Sequence, residues 1–144
     1  MGFEVRGYDD GIHRVQVMGL WKRVFGYPDP RNDPALVIDK KLAAGDGLLF
    51  VAEEDREVVG TVMAGYDGHR GWIYSMAVKP ERRCEGIGTR LLERAEGELR
   101  TLGCVKINLQ ISGTNEGVER FYVKNGYRTE DRTSMGKEIP ENIG

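Results

Sequence analysis

"KPERRCEGIGTRLLERAE", Lys79 to Glu96, passes from an arginine-flanked glycine pair into a run where leucines recur among charges. Ile87, Leu91, Ala95, Leu99 and Leu102 recur three and four residues apart, which predicts a helix with one apolar stripe. The segment before it, "GWIYSMAVK" (Gly71 to Lys79), is rich in strand formers. A strand that feeds a glycine turn and then a helix leaves several backbone amides unpaired and aimed one way. The helix dipole adds partial positive charge at that end, so phosphate groups bind there readily. Gly86 and Gly88 remove side chains that would hold a bulky anion off the backbone. Lys79, Arg82 and Arg83 add formal charge nearby.

Two phosphate loops are excluded by letter. A Walker loop ends in Gly-Lys-Ser/Thr, but Gly88 is followed by Thr89-Arg90. The dinucleotide fingerprint needs a third glycine, and Leu91 stands there instead.

Outward from this junction, the chain reads as one mixed α/β domain over 1–144. "FEVRGY" (Phe3 to Tyr8) alternates as a short strand, and Asp9 or Asp10 caps a helix carrying Val17, Leu20, Trp21 and Val24 on one face. "GYPDPRNDP" stops that helix, because its prolines lack amide donors. Asp33-Pro34 then opens a second helix through about Ala44. Leu48–Glu54, Glu57–Tyr66 and Gly71–Lys79 are separated by short polar linkers, as successive antiparallel strands are. After the helix from Ile87, with Gly103 as its stop, come a strand over Cys104–Ile111 and a short helix capped near Thr114 or Asn115. The expected last element is a strand from Tyr127 to about Lys137. The predicted order is therefore β-α-α-β-β-β-α-β-α-β.

At 144 residues, 40% hydrophobic and 31% charged, the composition is that of an ordinary globular domain. A formal charge of −2 argues against a general nucleic-acid binder. No apolar run approaches the roughly 20 residues that span a bilayer. The N-terminus shows no basic-then-apolar leader, and Cys84 and Cys104 have no metal-ligand spacing, so reduced thiols, no metal and a cytoplasmic location are expected.

Arg83-x-x-Gly86-x-Gly88, preceded by "MAVKPE" and followed by an amphipathic helix, resembles the acetyl-CoA signature of the GNAT superfamily of N-acetyltransferases. "NEGVERFYVKNGY" (Asn115 to Tyr127) is similar to that family's second helix, with its Asn, a Tyr seven residues on and a Gly-aromatic end. Two motifs in the right order on the right elements are far more specific than either alone. The resemblance covers almost the whole chain. It implies the acyl-CoA N-acyltransferase fold, a twisted, mostly antiparallel sheet flanked by helices.

It also implies a site. Backbone groups of Met76, Ala77 and Val78 would pair with the pantetheine arm of acetyl-CoA. Amides of Cys84, Glu85, Gly86, Ile87, Gly88 and Thr89 would cradle the pyrophosphate, with Arg83 at the entrance. Asn115 would touch the cofactor from the second helix, and Tyr122 would protonate the departing thiolate as general acid. Relatives are often dimers, so a homodimer is within the implied range. Two positions depart from the family pattern. Cys84 and Glu85 precede Gly86 where Arg-Gly is common, and Gln110 stands where some relatives carry a Glu base.

Acetyl transfer needs a neutral amine, whose lone pair attacks the thioester. Asp67, His69, Glu53 or a water chain are the candidate routes for the proton. Trp21, Tyr27, Arg31 and Asn32 are candidates for lining an acceptor pocket, although Trp21 is better read as a core residue. The acceptor itself, a small-molecule or peptide amine, is not named by any motif. Against the enzyme stands a non-catalytic acyl-CoA-binding or regulatory module that kept the cleft and lost the base, a reading that Gln110 favours.

Overall fold

The computed structural model describes residues 2–26, 29–112 and 116–140. The chain forms two compact units, residues 1–110 and residues 111–144.

In the first unit, β1 (Glu4–Gly7) leads into α1 (Asp10–Phe25) and α2 (Pro34–Ala44). The meander of β2 (Leu49–Glu54), β3 (Glu57–Tyr66) and β4 (Gly71–Val78) follows, then α3 (Ile87–Thr101) and β5 (Ile107–Asn108). The sheet order is β1-β2-β3-β4-β5, antiparallel throughout except for the parallel β4–β5 pair.

Local chemistry sets the helix ends. The Asp9 carboxylate accepts from the Gly11 amide at the start of α1, and Asp33 accepts from the Leu36 amide at the start of α2, where Pro34 has no N–H to satisfy. Gly103, at φ +94°, follows α3 in the left-handed region that only glycine enters without strain.

Successive strand residues point to opposite faces, and β3 shows it directly. Thr61 and Met63 face α1 and α2, whose Val17, Leu20, Trp21 and Ile38 pack with Leu49, Val51 and Ala77. A Cβ at Gly60, one residue before Thr61 and so on the opposite face, would meet Ile87 and Leu91 of α3 at 3.0 Å. The sheet is thus covered on both faces. Burying each such Leu or Ile side chain contributes about 1.5–3 kcal/mol, so the two layers supply most of this unit's stability.

In the second unit, α4 (Glu116–Lys124) ends before Gly126, at φ +96°. Three sequence expectations need correction. Residues 127–137 form no strand, so the order ends on α4. "YRTEDRTSMGK" offers Tyr127 and Met135 as its apolar residues, too few to alternate across a sheet. The strand expected over Cys104–Ile111 is two residues long. Leu102, expected on the α3 stripe, is half exposed, and Leu92 is buried instead.

Candidate functional site

The β3–β4 ladder has a fixed parity. At one end the Asp67 amide donates to the Arg70 carbonyl at 3.3 Å, and at the other the Lys79 amide donates to the Val59 carbonyl at 2.9 Å. Counting inward by twos, Trp72, Tyr74 and Ala77 direct their backbone groups toward β3. Gly71, Ile73, Met76 and Val78 direct theirs to the other edge. The count crosses one irregularity, because the register shifts between Thr61 and Met63, so that Ser75 and Met76 together oppose Val62. Ser75 sits at this bulge with φ +49°.

On that other edge β5 covers very little of β4. The parallel pairing is confined to Gly71 with Ile107 and Trp72 with Asn108, and the Gly71 amide donates to the Lys106 carbonyl at 2.9 Å. A Cβ at Gly71 would approach Cys104 Sγ to 2.8 Å and Leu99 Cδ1 to 2.9 Å, so only glycine permits this close start. Among the described residues no strand pairs with this edge beyond Trp72, and Met76 and Val78 direct their N–H and C=O groups along it. Ala77, expected beside them, faces β3 with its backbone and the α1 side with its side chain.

After Val78 the chain takes a single 3-10 turn over Pro80–Arg82 and enters the loop. Cys84 at φ +67° and Gly86 at φ +84° are both left-handed, and such alternation folds successive amides into an anion-binding concavity. The first backbone bond of α3 runs from the Arg90 amide to the Gly86 carbonyl at 3.1 Å. No acceptor among the described residues meets the amides of Cys84, Gly86, Ile87, Gly88 or Thr89, while that of Glu85 closes the turn over Arg83 and Cys84. Five backbone donors thus lie unmet among the described residues, at or just before the N-terminus of α3.

Side-chain charge here differs from a simple sum. Lys79 pairs with Glu57, and Arg82 bonds Glu54 and Glu85 at 3.0 Å each. Glu85 is therefore already met by a cation. Arg83 is exposed and has no ion-pair partner among the described residues, which leaves its charge available.

Tyr122 lies on α4 in the second unit, 6% exposed. Its ring meets Phe121 at 5.0 Å and Tyr127 at 5.6 Å, both edge-on, and the Tyr127 amide donates to its carbonyl at 3.0 Å. Burial pushes its phenol up to about 12, so it holds its proton at neutral pH. Asn115 lies outside the described residues, as does Tyr27.

The carboxylates weighed as bases are otherwise engaged. Asp67 accepts from the His69 and Arg70 amides at 2.7 Å each, which holds its carboxyl below the usual range. Glu53 bonds His13 at 2.7 Å and Arg6 at 3.0 Å, and those partners lower it likewise. Both are poor proton acceptors near neutrality. His69 is exposed at the hairpin tip. At about 3.3 Å per residue, the tip lies more than ~13 Å along β4 from Ser75. Trp21 is a core residue, 3% exposed. Gln110 is exposed, just after β5.

The bulge was not legible in the sequence, because Ser75 carries none of the glycine signal that usually marks a left-handed strand residue. The hydrogen-bonded partner of its carbonyl, Thr61, passed as an ordinary strand threonine. Among the described residues no helix is long and apolar enough to cross a membrane.

Comparison with known proteins bears on this geometry. The structure of AAC(6')-Iy in complex with the bisubstrate analogue CoA-S-monomethyl-acetylneamine superposes with TM-score 0.78 at 17% identity, over 97% of this chain and 100% of that one. PaiA N-acetyltransferase from Thermoplasma acidophilum, in complex with coenzyme A, gives 0.75 at 20% identity over 92% and 94%. A transcriptional regulator from Bacillus halodurans C-125 gives 0.74 at 22% identity over 95% and 99%. At these identities the likenesses establish a common fold. Residues 14–127 match the Acetyltransferase (GNAT) family, a span that runs from α1 through the glycine loop to Tyr127. With most of its length inside that match, the chain belongs to the GNAT family of acetyltransferases.

Proposed function

We propose that the protein moves an acetyl group from acetyl-CoA to a primary amine by direct attack on the thioester. The observation that carries this reading is the run of amides from Cys84 to Thr89 at the start of α3, all but that of Glu85 meeting no acceptor among the described residues. Such donors suit a pyrophosphate, and Arg83 supplies the free cation beside them. The open edge of β4 suits the pantetheine arm, with Met76 and Val78 pairing as one more strand would.

The chemistry balances with few groups. The amine nitrogen bonds to the carbonyl carbon, and the resulting oxyanion takes a hydrogen bond from an amide near Val78. The C–S bond then breaks, and the sulfur takes its proton from Tyr122, whose raised pKa keeps that proton in place. The proton shed by the ammonium leaves through water. Engagement of Asp67 and Glu53 by amides and cations favours this exit over a carboxylate base.

A thiol-release assay with acetyl-CoA and a panel of polyamines, amino acids, aminoglycosides and peptide N-termini tests the reading. Amine-dependent release of CoA is expected from at least one class. CoA binding without release from any class would instead support the non-catalytic module.

A further inference from the structure

Behind the bulge, residues from three elements form one buried line of hydrogen bonds. The Trp21 indole N–H donates to Thr61 Oγ1 at 2.8 Å, and Thr61 Oγ1 donates to the Ser75 carbonyl at 2.9 Å. Trp21 is 3% exposed and Thr61 is 0% exposed, so water does not compete for these groups. The direction of the line is fixed by chemistry. An indole nitrogen donates and cannot accept, and a carbonyl accepts and cannot donate, so the Thr61 proton must point at Ser75.

That proton lands on a residue under strain. Ser75 holds φ +49°, a left-handed conformation that disfavours any residue with a Cβ. The next residue, Met76, carries backbone groups of the open β4 edge. The position of that edge therefore depends on whether Ser75 keeps its conformation.

We infer that Trp21 and Thr61 are positioning residues that hold the Ser75 bulge and thereby set the β4 edge to receive the pantetheine arm. This rests on the reading of that edge given above. The line reaches the site from α1, on the opposite side of the strand's backbone from the open edge. Its residues touch no cofactor and act through Ser75.

Calorimetry on the full chain separates this role from simple core packing. The probes are CoA and adenosine 3′-phosphate 5′-diphosphate, its nucleotide end without the pantetheine arm. Thr61→Val keeps the side-chain shape but leaves the Trp21 N–H and the Ser75 carbonyl unmatched. It is expected to weaken CoA roughly tenfold, the scale of one lost buried hydrogen bond. Binding of the nucleotide fragment should stay within about twofold, since the fragment meets only the loop. Thr61→Ser, which keeps the hydroxyl, should retain the native ratio of the two affinities. Adding Ser75→Gly to Thr61→Val should restore most of the CoA affinity, because glycine adopts positive φ without the relay. Where Thr61→Val fails to fold, Trp21→Phe removes the donor at the other end and should lower the same ratio. Equal weakening of both ligands, or no change in either, overturns the inference. A native chain that binds CoA no better than the fragment, or binds neither, overturns the open-edge reading itself.

Discussion

The His13 imidazole, 1% exposed, meets the Glu53 carboxylate at 2.7 Å, while its other ring nitrogen accepts from the Asp9 amide at 2.9 Å. The pair ties the start of α1 to the end of β2 and occupies Glu53 fully, with Arg6 as its second partner. Because these partners lower the Glu53 pKa, the native state binds this proton less readily than the unfolded chain does. Its stabilisation is present above the unfolded carboxylate range near 4.3 and is lost as pH falls through the lower folded value. Glu53→Gln should therefore lower stability at pH 7 by about 1–3 kcal/mol, the cost of disturbing a largely buried hydrogen-bonded charge. In urea titrations the gap from the native protein should close toward pH 3.

Gly71→Ala tests the close packing that starts the β4–β5 pair. The new Cβ would fall 2.8 Å from Cys104 Sγ and 2.9 Å from Leu99 Cδ1, so something must shift. A loss of about 1–3 kcal/mol in urea unfolding is expected, as for other overpacked cores. Gly97→Ala, with nothing within 4 Å on the surface of α3, should be neutral or slightly stabilising.

Much of this packing was legible in advance. Ile87, Leu91, Ala95 and Leu99 recur at helical spacing and are all buried, because an amphipathic helix on a sheet has one way to hide its stripe. The strand Glu57–Tyr66 was bounded by turn residues and stands where they put it. The loop's letters marked its amides as donors. Its net charge was not legible, because Glu57 and Glu54, which meet Lys79 and Arg82, are distant in sequence and become neighbours through the β2–β3–β4 register. The tail strand failed because no alternation supports it.

Arg83 and Lys79 should differ as cofactor contacts although both flank the loop. Arg83→Ala removes a cation without an ion-pair partner among the described residues and should weaken CoA binding about tenfold at low salt, an effect that shrinks as added salt screens it. Lys79→Ala removes a charge already met by Glu57 and should weaken binding about threefold or less. Affinities measured at two ionic strengths decide this.

Tyr122→Phe should reduce turnover by about 10²-fold or more, the usual contribution of a general acid, while CoA affinity stays within about twofold. Since burial keeps the phenol protonated to about 12, the native rate should show no basic limb below pH 11 from this group. With Asp67 and Glu53 engaged, kcat/KM should rise with the acceptor's own deprotonation, near pH 8 for an α-amino group. His69→Ala should leave that profile in place. A limb that His69→Ala abolishes would assign the base to His69 instead.

The amides from Cys84 to Thr89 are proposed to hold the pyrophosphate of acetyl-CoA, and a single titration decides it. Acetyl-CoA is titrated by calorimetry into the native chain and into Gly86→Arg, with circular dichroism confirming that both are folded. Gly86 holds φ +84°, where any side chain is strained, so arginine there must rearrange the concavity. Binding of one acetyl-CoA per native chain, weakened at least about tenfold in Gly86→Arg, is the predicted result, since the loss of several charge-assisted hydrogen bonds is involved. No binding to the native chain, or equal affinity in the folded variant, would contradict it.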